Sequence, residues 1–128
     1  MAFNAFDLNC SLSVGSKFDI GIRLRESMSD RNLYTGLIRL HILHHAVEAP
    51  IYGQAMIDEL GRHGYRLSAG TLYPILHGME KQGYLRSSLT LNGGRSRRVY
   101  RATPAGRKAL VVARRRVQEL FGEMFEHH

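Results

Sequence analysis

Apolar and polar residues follow two rhythms along this chain, and the change from one to the other divides it into segments. The first rhythm has period two, the spacing of a strand. Phe6, Leu8, Cys10, Leu12 and Val14 interleave with Asp7, Asn9, Ser11 and Ser13. Phe18, Ile20, Ile22 and Leu24 interleave with Asp19, Gly21, Arg23 and Arg25. A three-residue loop at Gly15, Ser16 and Lys17 puts all these apolar groups on one face. A two-residue loop puts them on opposite faces and is rejected. Residues 1–29 therefore read as an N-terminal extension. It is either an amphipathic β-hairpin, which is marginal alone and must dock on the body or on a partner subunit, or a disordered tail.

The second rhythm is helical. Leu33, Gly36, Leu37, Leu40, Leu43 and Val47 form one stripe of a helix over 32–49, stopped by Pro50, because the residue before a proline avoids helical geometry. Ile51, Tyr52 and Gly53 open a second helix with Ala55 or Met56, Ile57 and Leu60 buried, ended by Gly61 and Gly64. A third helix buries Leu72, Ile75, Leu76 and Met79, with Ser68 at its N-cap and Gly83 as a left-handed stop. Pro74 leaves its start open. With Ser68 as the cap the proline should kink the first turn; with Thr71 as the cap it sits harmlessly within that turn. Tyr84 to Leu91 then reads as a strand, Asn92-Gly93-Gly94 as a turn and Val99 to Arg101 as the returning strand. In the last segment Thr103 caps and Pro104 takes the first helical position. Leu110, Ala113, Val117, Leu120 and Met124 step by three and four, with Phe121 and Phe125 widening the stripe. Such a helix of about 22 residues is about 33 Å long at 1.5 Å each. Its apolar seam needs a partner, which predicts a homodimer through this helix.

The predicted fold is mainly α with a small β wing. A winged helix-turn-helix unit occupies 30–103 and a C-terminal dimerisation helix 104–128, with the possible hairpin before them. The third helix presents Gly70, Tyr73, Pro74, His77 and Lys81 on the face opposite its buried stripe. Hydroxyls, an imidazole, an ammonium and a glycine suit a helix lying in a DNA major groove. Candidate DNA contacts are Ser68, Gly70, Thr71, Tyr73, Pro74, His77 and Lys81, with Arg66 just before them for the phosphate backbone. Neither Tyr73 nor His77 is a bidentate Arg or Asn reader, so modest base readout and a larger share from backbone and DNA shape are expected. A solvated Arg66 and a Tyr73 packed against the wing are the competing readings.

Charge sharpens this picture. The 128-residue chain has 18 Lys and Arg against 11 Asp and Glu, a net charge of +7. A basic excess alone is weak support for a polyanion partner, but Arg95, Arg97 and Arg98 cluster at the expected wing tip with no acid beside them. They are candidate phosphate or minor-groove contacts. The single Cys10 excludes an internal disulfide and CxxC metal motifs, and a reducing cytoplasm is expected. No apolar run is long enough to span a bilayer. Paired acids, a nucleophile-base set and a phosphate loop are all absent from the pattern, so enzymatic activity is not expected. His41, His44 and His45 crowd the first helix. They could hold a divalent metal; otherwise His44 packs in the core or a dimer seam while the other two are solvated.

Taken together, YGQAMIDEL, LSAGTLYPILHGMEKQGYL and GGRSRRVYRATPAGRKAL resemble the PadR family of winged-helix transcriptional regulators. The resemblance runs from about Leu33 to Leu110. It implies a dimeric repressor, of the subfamily with one C-terminal helix, that leaves its operator when an effector binds. It also implies DNA contacts at Ser68 to His77 and at Arg95 to Arg98. An effector site between the first and last helices would use Leu40, His44, Leu120, Phe121 or Met124. The chain has no tryptophan, which excludes a pocket walled by indole rings. No cofactor is required, and the effector would be a small molecule or a divalent metal. A wing-and-helix module that binds protein instead of DNA is the alternative function.

Overall fold

The computed structural model describes residues 31–125. The hairpin expected over 1–29 lies outside the described residues. The elements are α1 (Arg31–Glu48), β1 (Ile51–Tyr52), α2 (Gly53–Arg62), α3 (Ala69–Lys81), β2 (Leu85–Asn92), β3 (Arg95–Ala102) and α4 (Pro104–Phe125). The three strands form an antiparallel sheet in the order β1-β3-β2. One core joins α1, α2, α3 and the sheet, built from Ile38, Ile42, Met56, Leu60, Leu72, Leu76, Leu85 and Tyr100 among others.

Helix α1 corrects the expected stripe. Ile38, Ile42, Leu43 and Ala46 are its buried residues, whereas Leu33 is 71% exposed and Leu37 43%. The helix carries apolar residues around most of its circumference. Periodicity alone then finds two stripes, and only packing decides which one meets the core. Leu43 belongs to the core; the Leu33–Leu37 edge does not.

Ile51 and Tyr52 are likewise not the start of a helix. They pair with Tyr100 and Val99 as a short edge strand, and a β-branched residue followed by an aromatic suits that role. The helix begins at Gly53, and Met56 is buried while Ala55 is exposed. It ends as expected at glycine. Gly64 has φ +92°, with its amide bonded to the Gly61 carbonyl and the Tyr65 amide to that of Leu60. That is a Schellman stop. Gly83 repeats it after α3, with φ +90°, its amide on the Glu80 carbonyl and that of Tyr84 on Met79.

At the start of α3 the cap position is Ser68, in extended geometry, and Thr71 is already inside the helix. The Ser68 hydroxyl caps no backbone amide. It donates to the Thr71 hydroxyl at 3.4 Å, while the Ser68 carbonyl accepts from the Thr71 and Leu72 amides at 3.0 and 2.9 Å. Pro74 lies within the helix and removes the amide that would have bonded to Gly70. Leu72, Leu76 and Met79 are buried on the expected stripe.

The wing is a two-residue hairpin. Asn92 pairs with Arg95, and Gly93 and Gly94 have φ +62° and +82°. Positive φ at both central positions is the turn whose twist matches the strands. At α4 the Gly106 amide donates to the Thr103 hydroxyl at 3.0 Å, so the expected cap and first-turn proline are both in place. Leu110 is buried against the body. Beyond it Val117, Leu120 and Met124 are 45%, 50% and 58% exposed.

Candidate nucleic-acid interface

Helices α2 and α3 and the turn between them are the helix-turn-helix, and the hairpin that follows is the wing. Arg66, Ser68, Gly70, Pro74, His77 and Lys81 are exposed, and Thr71 is half-buried. Ser68, Gly70, Pro74, His77 and Lys81 therefore form the open surface of α3. Tyr73 departs from it. Its ring is half-buried on the core, and its hydroxyl stands where a Cβ on Gly53 would be, 2.1 Å from that point. The glycine that opens α2 is the space the phenol occupies, so the ring packs against the start of α2.

The three wing arginines are held differently. Arg95 is exposed beside the turn. Arg97 places its guanidinium over the Tyr52 ring, 4.8 Å from the centroid, a cation–π contact. Arg98 points to the other face of the hairpin and donates to the Ser87 hydroxyl at 3.1 Å. Ser87 in turn donates through its amide to a Glu80 carboxylate oxygen at 3.0 Å and through its hydroxyl to the same carboxylate at 2.9 Å. This ties the last turn of α3 to the base of the wing and fixes the angle between the two. Glu80, Ser87 and Tyr52 were not among the residues expected from sequence, because a carboxylate and a serine across a glycine stop carry no periodic signal. Behind this joint Tyr100 is fully buried, its hydroxyl without a hydrogen-bond partner. Burial raises the phenol's pKa above its ordinary value. The His77 ring meets Tyr100 edge-on at 6.4 Å.

The three histidines of α1 do not gather on one point: the His44 and His45 rings meet edge-on at 5.1 Å, while His41 turns to another partner. His41 stacks on His63 at 4.7 Å, His45 Nε2 lies 3.4 Å from Glu59, and His44, exposed to solvent, lies 3.9 Å from Glu48. Among the described residues no group of three or more His, Cys, Asp or Glu could hold a metal. Spacing by four put His41 and His45 on one helical face, but each ring turns to a different partner on or beyond α2. Burial, then the neighbouring His63, lowers the pKa of His41. Hydrogen bonds from Arg62 and His63 lower that of Glu59.

Between α1 and α4 runs an open groove of about 680 Å³, lined by Leu37, Leu40, His44, Val117 and Phe121 among others. Leu40, His44 and Phe121, three of the five residues named for an effector site, are among its lining residues. Leu120 and Met124 are not among its lining residues; both are exposed on α4. No described helix is long and apolar enough to cross a membrane.

A helix-turn-helix with an open polar reader face, braced to a basic two-stranded wing, defines a winged-helix protein. The chain belongs to the PadR-like transcriptional regulator family, whose model matches residues 42–112. It is 52% identical over 94 residues to the transcriptional regulator Rv3488 of Mycobacterium tuberculosis, covering 73% of this chain and 88% of that protein. A PadR family transcriptional regulator from Eggerthella lenta superposes with a TM-score of 0.64 at 30% identity, over 79% of this chain and 89% of its own. Bacillus subtilis PadR, solved in complex with operator DNA, has a TM-score of 0.51 at 20% identity, over 58% of this chain and 44% of its own.

Proposed function

We propose that this transcriptional regulator binds duplex DNA as a homodimer and acts as a repressor relieved by a small-molecule effector. Each protomer lays the Ser68–Lys81 face of α3 in a major groove and sets Arg95, Arg97 and Arg98 against the flanking backbone or minor groove. The observation that carries this reading is the Glu80–Ser87–Arg98 brace, which joins an open polar helix to an arginine-bearing hairpin at a fixed angle. The relative solved on operator DNA supports the same partner. Pairing through α4 would place two reader helices about 34 Å apart, one turn of duplex. The groove between α1 and α4 lies next to the exposed seam of α4, so a ligand seated on Leu40, His44 and Phe121 would act on the spacing of the pair.

The test is equilibrium binding of the full chain to a duplex from its own gene's upstream region, across a salt series. Expected are a protected footprint and an affinity that falls steeply with salt, since each neutralised phosphate releases a counterion. His77→Ala with Lys81→Ala should weaken binding about tenfold or more, the scale of removing one or two groove hydrogen bonds. Absence of binding at low salt would overturn the proposal in favour of a protein-binding module.

A further inference from the structure

The register of the wing separates its arginines by face. Side chains alternate along a strand, so Arg95, Arg97, Val99 and Arg101 share one side of β3, and Arg86, Ser88 and Thr90 share that side of β2. Arg86 stands directly opposite Arg101, and Tyr52 opposite Val99. Val99 is buried at the centre of this face, outside the core cluster. On this face Arg86, Arg95 and Arg101 are exposed, and no ion pair to an acid is found for them among the described residues. The Glu80 carboxylate lies on the other face, with Ser87 and Arg98. Like charges set directly opposite each other in a sheet are destabilising. An opposed arginine pair without a counter-charge is therefore an arrangement that an external anion would relieve.

We propose that the outer face of the sheet, centred on Arg86 and Arg101, is a second phosphate-binding surface for the DNA backbone, separate from the reader helix and the wing tip. The inference rests on the DNA-binding reading above. Geometry selects a duplex over a single small anion. From Arg95 to Arg101 the strand covers about 20 Å at about 3.4 Å per residue, several times the about 6 Å width of a minor groove. With Arg95 in or at the groove, Arg97 is the next arginine inward, propped on Tyr52. Arg86 and Arg101 then fall over the backbone beyond the groove's edge. A ladder of guanidinium groups along that distance matches a line of phosphates. It adds affinity without base specificity, since phosphate contacts position the protein and carry no sequence information.

The experiment uses the full chain and the same duplex. Arg86→Gln with Arg101→Gln should flatten the slope of log affinity against log salt by about 0.9 for each phosphate no longer neutralised. It should weaken specific and scrambled duplexes by the same factor. The same variant should melt at an equal or higher temperature, because the cross-strand repulsion is gone. Arg86→Lys with Arg101→Lys keeps the charge and should keep most of the slope. Arg115→Gln with Arg116→Gln, an equal charge change on α4, should leave the slope nearly unchanged. Wild-type binding with an unaltered slope in the Arg86/Arg101 glutamine variant overturns this surface alone, and so does an equal loss in the α4 control. A wild-type chain that binds no duplex overturns both this surface and the proposed function.

Discussion

Gly53 and Gly106 stand in the first turns of α2 and α4, and both are buried. Alanine at either should gain about 0.5–1 kcal/mol of helix propensity. What the new methyl meets decides the outcome. At Gly53 it meets the far end of the Tyr73 ring, at 2.1 Å from the hydroxyl. At Gly106 it meets the Tyr84 backbone carbonyl oxygen at 2.2 Å and a Leu43 methyl at 3.3 Å. A ring can swing outward, whereas a carbonyl that accepts from the Thr103 amide at 3.0 Å moves only with the strand and loop around it. Overpacking costs about 1–3 kcal/mol. Gly106→Ala should therefore lose about 2 kcal/mol or more in denaturant unfolding, and Gly53→Ala less. Displacing Tyr73 would also change the reader face, so Gly53→Ala should alter DNA affinity more than its stability loss implies. Equal stability losses in the two variants would contradict this difference in what the methyl meets.

At the scale of elements, the contact between α1 and the C-terminal end of α2 is a cluster of titratable groups. His41 stacks on His63, and His63 Nε2 lies 3.1 Å from the Glu59 carboxylate, which also takes a hydrogen bond from Arg62 and faces His45. Burial and neighbouring imidazoles hold the pKa of His41 below its ordinary 6.5, so the unfolded chain takes up its proton first. Stability from this group is full above about pH 6.5 and declines as pH falls through the lowered folded value. Glu59 is held below its ordinary 4.5, so its contribution is lost only at more acid pH. His41→Gln should flatten the upper part of an acid unfolding series and leave the lower part; an unchanged profile just below about pH 6.5 would refute it. None of this cluster was legible in the sequence, where the histidines read as a metal set, or as His44 in the core or a dimer seam with the other two solvated. The reason is physical. Helical spacing reports which residues share a face, not which way rings turn toward a neighbouring element. The same limit explains α1, whose second apolar stripe competed for the core, and β1, whose two residues look like a helix start until β3 supplies hydrogen bonds. Elements with their own local chemistry were legible: the glycine stops at Gly64 and Gly83, the Gly93-Gly94 turn, the Thr103-Pro104 start and the buried stripe of α3. Of the candidate DNA site, the exposure of the α3 face and the place of the arginines on the wing were legible. The inward turn of Tyr73 and the Glu80–Ser87 brace required contacts between elements.

For the whole molecule, the open balance is apolar surface. Leu33, Leu37, Val117, Leu120 and Met124 are each more than two-fifths exposed, and they lie along the edges of α1 and α4, which pack together. Single exposed apolar residues are ordinary, but a continuous set along two adjacent helices marks an interface. A second copy of the chain is the proposed partner, because the seam on α4 repeats at coiled-coil spacing and two copies can present it to each other. The consequence for DNA follows from multivalency. On the proposed reading one protomer would touch a single half-site through one reader helix and one wing, and linking two such modules gains about 10²–10⁴ in affinity when the geometry allows both to engage. Leu120→Glu with Met124→Glu adds charge where the protomer already exposes the side chains. The variant should therefore keep the melting temperature of an isolated protomer while sedimenting as a monomer. Its affinity for a two-half-site duplex should drop by about 10² or more, toward that for a single half-site, with the salt slope per protomer retained. A variant that stays dimeric, or a monomer that binds the full site as tightly as the parent, would move the interface away from α4. In the second case it would also remove pairing from the mechanism of recognition.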